Sequence, residues 1–179
     1  MFQQALYIHE ETLQHHAYIL LCQLLSMHEI EKLAYYPGCN DAVETLLAVG
    51  EPELNRNIMS LAALARANDD GRGVLKEHLT QNPDGVGTLT RNDQRETLSP
   101  REACNKIIHN TTVRLTFEVT AEHPLYAEAY RQNQVEDDRE YRVPYLEITG
   151  RGQGEGGKPW SARVDLIKWI FATAIFGAA

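Results

Sequence analysis

The sequence is poor in cysteine and has no long apolar run. Its 179 residues include three cysteines, Cys22, Cys39 and Cys104. An odd count with no CxxC spacing excludes a disulfide framework and a zinc-finger pattern, and it fits a reducing compartment. No stretch of about 18 apolar residues exists, so no membrane-spanning helix is expected. The start, Met1-Phe2-Gln3-Gln4, has no basic leader and soon reaches His9, Glu10 and Glu11, unlike a signal peptide. A cytoplasmic protein is expected.

Positive charge is also scarce. Lys and Arg number 17 against 25 Asp and Glu, a net charge of -8. Residues 1–90 carry 12 acidic and 5 basic side chains, and residues 91–179 carry 13 and 12. An acidic surface repels phosphate backbones, so non-specific DNA binding is not expected. A local basic stretch remains, with Arg91, Arg95, Arg101, Lys106 and Arg114 set against Asp93, Glu96 and Glu102. Metal and cofactor motifs are missing too. His9, His15 and His16 stand near Glu10 and Glu11 without HExxH spacing. Gly150 to Lys158 is glycine-rich, but Pro159-Trp160 follows the lysine, where a phosphate loop needs Ser or Thr opening a helix. No cofactor is expected, and the stretch predicts a flexible hairpin loop.

What is present predicts one mixed domain over 1–179. A predominantly helical bundle over 3–112 precedes a strand-containing part over 113–179 that holds a β-hairpin or small antiparallel sheet and a closing helix. In the first helical region Leu6, Leu13, Ala17, Leu20 and Leu24 recur near helical spacing, and Tyr36-Pro37-Gly38 stops it. Asn40 or Asp41 is expected to cap a short helix ending at Gly50, and Pro52 to open the next. Residues 80–99 show no regular pattern, with Asn82-Pro83-Asp84-Gly85 a turn signal. A functional or mobile loop, or a short helix or hairpin, remain alternatives there. Val113–Val119, Tyr141–Thr149 and Trp160–Val164 predict strands, and Asp165 to Phe176 a buried helix.

The chemistry concentrates in one helix. Ser99 is a natural cap, Pro100 suits the first turn, and Glu102 stands at the capping-box distance. Along that helix Arg101, Asn105 and His109 recur every fourth residue and so form one polar line. A guanidinium, an amide and an imidazole so aligned suit a phosphodiester. Arginine grips phosphate oxygens, asparagine orients, and histidine moves a proton near neutral pH. Lys106, Arg95 and Lys158 are secondary phosphate-contact candidates. The alternative is a capped helix whose polar side meets solvent or pins a neighbouring loop.

The segment Cys104-Asn105-Lys106-Ile107-Ile108-His109 resembles the signature helix of the HEPN superfamily, an arginine followed by a polar residue and, five positions after the arginine, a histidine. Asn105 and His109 match, and Cys104 stands where the arginine belongs. The resemblance implies a helical bundle and a metal-independent endoribonuclease of a defence or toxin-type system. It also implies a homodimer, an RNA substrate and an antitoxin or regulatory partner. His109 would be the acid–base group, Asn105 the orienting residue and Arg101, one turn earlier, the phosphate clamp. The missing arginine equally suits a non-catalytic interaction or regulatory member. A soluble structural protein is the remaining alternative.

Overall fold

The structure is a computed structural model that describes residues 10–120, 141–152 and 157–176. It is an α+β fold in two layers, with helices on one face of an antiparallel sheet. The expected loop or helix over 124–130, the charged link over 131–140 and His9 lie outside the described residues.

Helix α1 (Glu10–Lys32) leads into a short 3-10 turn, Leu33–Tyr35. Its buried residues are Leu13, Ala17, Leu20 and Leu24, the stripe that the spacing predicts. Each large side chain so buried contributes roughly 1.5–3 kcal/mol. Helix α2 (Asn40–Arg72) packs along α1 and is longer than expected. Gly50 does not end it, and Pro52 lies inside it. A proline there forgoes a hydrogen bond, but its φ is helical, and Leu54, Ile58 and Leu61 bury just beyond it. The cap position falls on Cys39, without a side-chain bond, rather than on Asn40 or Asp41. Gly73, left-handed at φ 75°, closes α2 and starts α3 (Val74–Gln81).

The segment 80–99 holds a hairpin, β1 (Gly87–Arg91) and β2 (Gln94–Thr97). Its two-residue turn is Asn92-Asp93, both at positive φ. Asn and Asp tolerate that conformation better than most residues, and it gives the turn the twist a hairpin needs. Helix α4 (Pro100–Ile108) follows, then β3 (Thr112–Thr120), β4 (Tyr141–Arg151) and β5 (Pro159–Asp165). The strands form one sheet in the order β2-β1-β5-β4-β3, each neighbour antiparallel. Gly87 is required where β1 meets β5: at φ 150° a Cβ would collide with the backbone of Arg163.

The chain closes with α5 (Leu166–Phe171), continued as a π-helical turn over Ala172–Phe176. One core cluster joins α1, α2, α4 and α5 to Leu89, Leu146, Ile148, Trp160, Ala162 and Val164 of the sheet. Asp165 ends β5 and caps α5, accepting from the Lys168 backbone N–H at 3.0 Å. Burial raises its pKa, against the opposing pull of the Lys168 N–H and ammonium. The fold therefore favours the acid form. That stability is full below the unfolded pKa of about 3.9 and is lost as pH rises through the higher folded value. Asparagine caps as well and carries no charge. Asp165→Asn is expected to gain stability relative to the parent as pH rises from about 3 to 7, measured by urea unfolding across that range. A difference independent of pH would contradict this account.

Candidate functional site

Helix α4 forms as its sequence dictates. The Ser99 hydroxyl accepts from the Glu102 N–H at 3.1 Å, and Pro100 occupies the first turn. Ala103, Cys104 and Ile107 bury against the core. The helix ends at His109, whose N–H donates to the Asn105 carbonyl at 3.1 Å.

The polar line meets three different surroundings. The Arg101 guanidinium is mostly buried and donates to Asp69 and, at 2.6 Å, to Asp70, both near the end of α2. Burial alone would lower its pKa, but the hydrogen bonds and charges of Asp70 and Asp69 outweigh that and raise it. Asp69 is itself buried, and its other oxygen accepts from the Leu75 N–H at 2.7 Å. Asn105 donates to Glu102 at 3.3 Å. His109 is exposed, and no hydrogen bond links its side chain to either of the others among the described residues. Arg101 thus ties α4 to the α2–α3 corner with the donors a phosphate would need.

Cys104 points the other way, wholly buried. Burial pushes its thiol up to about 12, against the indole of Trp169, which favours the thiolate. The position where the HEPN pattern places arginine is therefore inside the core. Lys106 lies 4.4 Å from the centre of the Trp160 ring and 3.2 Å from Glu102. The same indole leans on β4 at Gly150, where any Cβ would strike the ring.

The other secondary candidates, Arg95 and Lys158, are exposed on the sheet side of the molecule. The helices cover one sheet face, and among the described residues no element covers the other, called the open face below. Alternation puts Leu89, Ala162, Ile148 and Val113 on the helix side and hydroxyls and charges on the open side. Two rows cross the open face in register. One runs Arg95, Thr90, Ser161, Thr149, Thr112, and the next runs Thr97, Thr88, Arg163, Glu147, Arg114. The sheet spans about 19 Å between its edge strands at roughly 4.8 Å per step.

Two depressions of about 680 and 390 Å³ adjoin on this side and share Thr90, Thr149 and Ser161. Arg151 and Lys158 line the larger, and Arg114 and Arg163 the smaller. Arg163 stacks 3.8 Å from the centre of the Tyr145 ring and pairs with Glu118 at 2.5 Å. Arg95, Arg114, Arg151 and Lys158 form no ion pair among the described residues. By contrast, the first half of the chain, which supplies the longest helices, carries most of the net negative charge.

No family model, curated protein or solved structure matches this chain.

The sequence points to Arg95 and Lys158 but not to the surface they share. Arg114, Arg163 and the Thr88/Thr90 and Thr112/Thr149 pairs become one face only through strand order. The usable signal is the alternation of Gly-Thr-Leu-Thr-Arg at 87–91, with Asn92-Asp93 after it.

Proposed function

We propose that the chain is a non-catalytic binding protein that holds single-stranded RNA across the open face of its sheet. The observation that carries this reading is the trough lined by Thr90, Thr149 and Ser161 and edged by Arg114, Arg151 and Lys158, which form no ion pair among the described residues and, with Arg91 and Arg163, outnumber the two carboxylates of the lining, Asp93 and Glu147. Guanidinium groups grip phosphates with paired donors, and hydroxyls serve both phosphate oxygens and ribose 2′-hydroxyls. The Tyr145–Arg163 stack adds flat surface of the kind on which bases rest. An extended strand spreads its charges evenly, which matches cations distributed from β2 to β3. The engagement of Arg101 by Asp69 and Asp70 favours binding over cleavage.

The test is fluorescence anisotropy with a labelled oligouridine of about 8 nucleotides in the presence of chelator. Four phosphate contacts, from Arg114, Arg151, Lys158 and Arg95 beside them, predict a logarithmic salt slope near −3, so affinity should fall about 50-fold between 50 and 200 mM salt. The triple variant Arg114→Ala, Arg151→Ala, Lys158→Ala should lose at least about tenfold in affinity at low salt and keep a slope near −0.7. His109→Ala should bind as the parent does. Absence of binding at low salt, or a triple variant that binds equally, would refute the proposal. Equal binding of a polyglutamate peptide would replace RNA with an acidic polypeptide. Cleavage of the RNA in chelator, lost in His109→Ala, would replace binding with metal-independent endoribonuclease chemistry.

A further inference from the structure

The larger depression holds a group that phosphate binding does not use. The hairpin turn Asn92-Asp93 lines it together with Arg151, Lys158 and Pro159. Strand register explains the meeting. The β1–β5 ladder ends at Arg91↔Trp160, and Pro159 pairs onward with Arg151 of β4. Asn92 and Asp93 continue past the end of that ladder, on the side of Pro159 and Lys158.

Among the described residues Asp93 is the only carboxylate in this lining, and it is exposed. It forms no hydrogen bond or ion pair among them. The neighbouring carboxylates differ. Glu96 pairs with Arg91 across the hairpin, and Glu147, in the smaller depression, stands between Arg114 and Arg163 in the ladder. A carboxylate repels phosphate, so a trough that took phosphates alone would bind better without Asp93. The turn does not demand it either, since asparagine or glycine takes positive φ as well.

Ionised aspartate only accepts hydrogen bonds. Of the four RNA bases, guanine alone places two donors side by side on its pairing edge, the N1–H and the N2 amino group. Adenine and cytosine set one amino group next to an acceptor nitrogen, and uracil sets one N–H between two carbonyls. A carboxylate therefore meets guanine with paired charge-assisted bonds and meets an acceptor on every other base. Asn92, beside it in the turn, carries an amide N–H suited to the adjacent O6 of guanine. Exposed Pro159 offers the ring an apolar surface, and Arg151 and Lys158 remain for the phosphates. The volume of about 680 Å³ lies in the range of small-molecule sites and admits one nucleotide.

We infer that the Asn92-Asp93 turn reads guanine, so that the RNA held on the open face seats a guanosine in the larger depression and Asp93 sets the preference. The inference rests on the RNA reading above and adds its base specificity.

The experiment is fluorescence anisotropy at one low salt concentration, in chelator, with three labelled strands of about 8 nucleotides. One is oligouridine, one carries a single central guanosine, and one carries inosine at that position. The parent should bind the guanosine strand at least about fivefold more tightly than oligouridine. Inosine lacks the N2 amino group, so its strand should fall between the two. Asp93→Asn should bring the guanosine strand level with oligouridine. It should also bind oligouridine more tightly than the parent does, because one negative charge leaves the trough. Asparagine tolerates the left-handed turn, and Asp93→Gly, which keeps the turn without a side chain, should behave in the same way. A parent that binds the guanosine strand and oligouridine equally, or variants that keep the preference, would overturn the inference and leave the RNA reading in place. A parent that binds none of the strands would overturn both.

Discussion

Cys104→Arg is expected to abolish the folded protein. The substitution restores the HEPN signature on paper, since a guanidinium would then precede Asn105 and His109 in register. In the structure, however, Cys104 is fully buried, beside Ala103 and Ile107 on α4 and against Trp169. A guanidinium side chain there is several times larger than a thiol, and the core offers it no carboxylate placed to receive it without displacing Arg101 from Asp69. An unpaired buried charge and an overpacked core each belong to the severe class of destabilising changes. The combined cost should exceed about 5 kcal/mol, which is comparable with the entire stability of an ordinary domain. Soluble yield and urea unfolding measure this, with Cys104→Ser as the control, expected to cost about 1–3 kcal/mol for its poorly satisfied hydroxyl. A folded, stable Cys104→Arg protein that cuts RNA in chelator would show that the core argument is wrong and that the resemblance describes the chemistry.

Asp69→Ala is expected to cost about 3–5 kcal/mol, the range for removing one partner of a buried ion pair. Two interactions end together. Arg101 loses the buried carboxylate and keeps only the exposed Asp70, and the Leu75 N–H at the start of α3 loses its acceptor. At about 2–4 °C per kcal/mol for a chain of this size, the midpoint of thermal unfolding should drop by roughly 10 °C. Asp69→Asn should cost less, because its amide oxygen can still accept from Leu75. Arg101→Ala should also destabilise, because it strands the buried Asp69 carboxylate. Thermal unfolding of the three variants, with the double variant Arg101→Ala, Asp69→Ala, separates the coupling from the individual losses. If Arg101→Ala left stability intact but reduced RNA affinity, the guanidinium would be a phosphate contact rather than a tie between α2 and α4.

Some elements are readable because their signals are local. The cap, first-turn proline and acidic third residue of α4 lie within four positions, and each acts on its own backbone neighbours. The stripe Leu13, Ala17, Leu20, Leu24 needs only the helical period to be recognised. Strands β3, β4 and β5 follow from β-branched and aromatic alternation. Where local signals compete, packing decides. Gly50 and Pro52 argue for a break, yet α2 continues through them along α1. The β1–β2 hairpin is masked by polar composition, because its open side is Thr and Arg and only Leu89 turns inward.

Local chemistry therefore established α1, α4, strands β3, β4 and β5, the α+β class and the spacing of Arg101, Asn105 and His109, because caps, turns and periodicity act over a few residues. The partners of those side chains were left to packing. Arg101 meets carboxylates 31 and 32 positions away. The cysteine in the signature position became core because α4 turns that face toward Trp169. The open face came into being when β1 inserted beside β5, bringing hydroxyls and cations from distant segments onto one surface, an arrangement that depends on strand order and register across the whole chain.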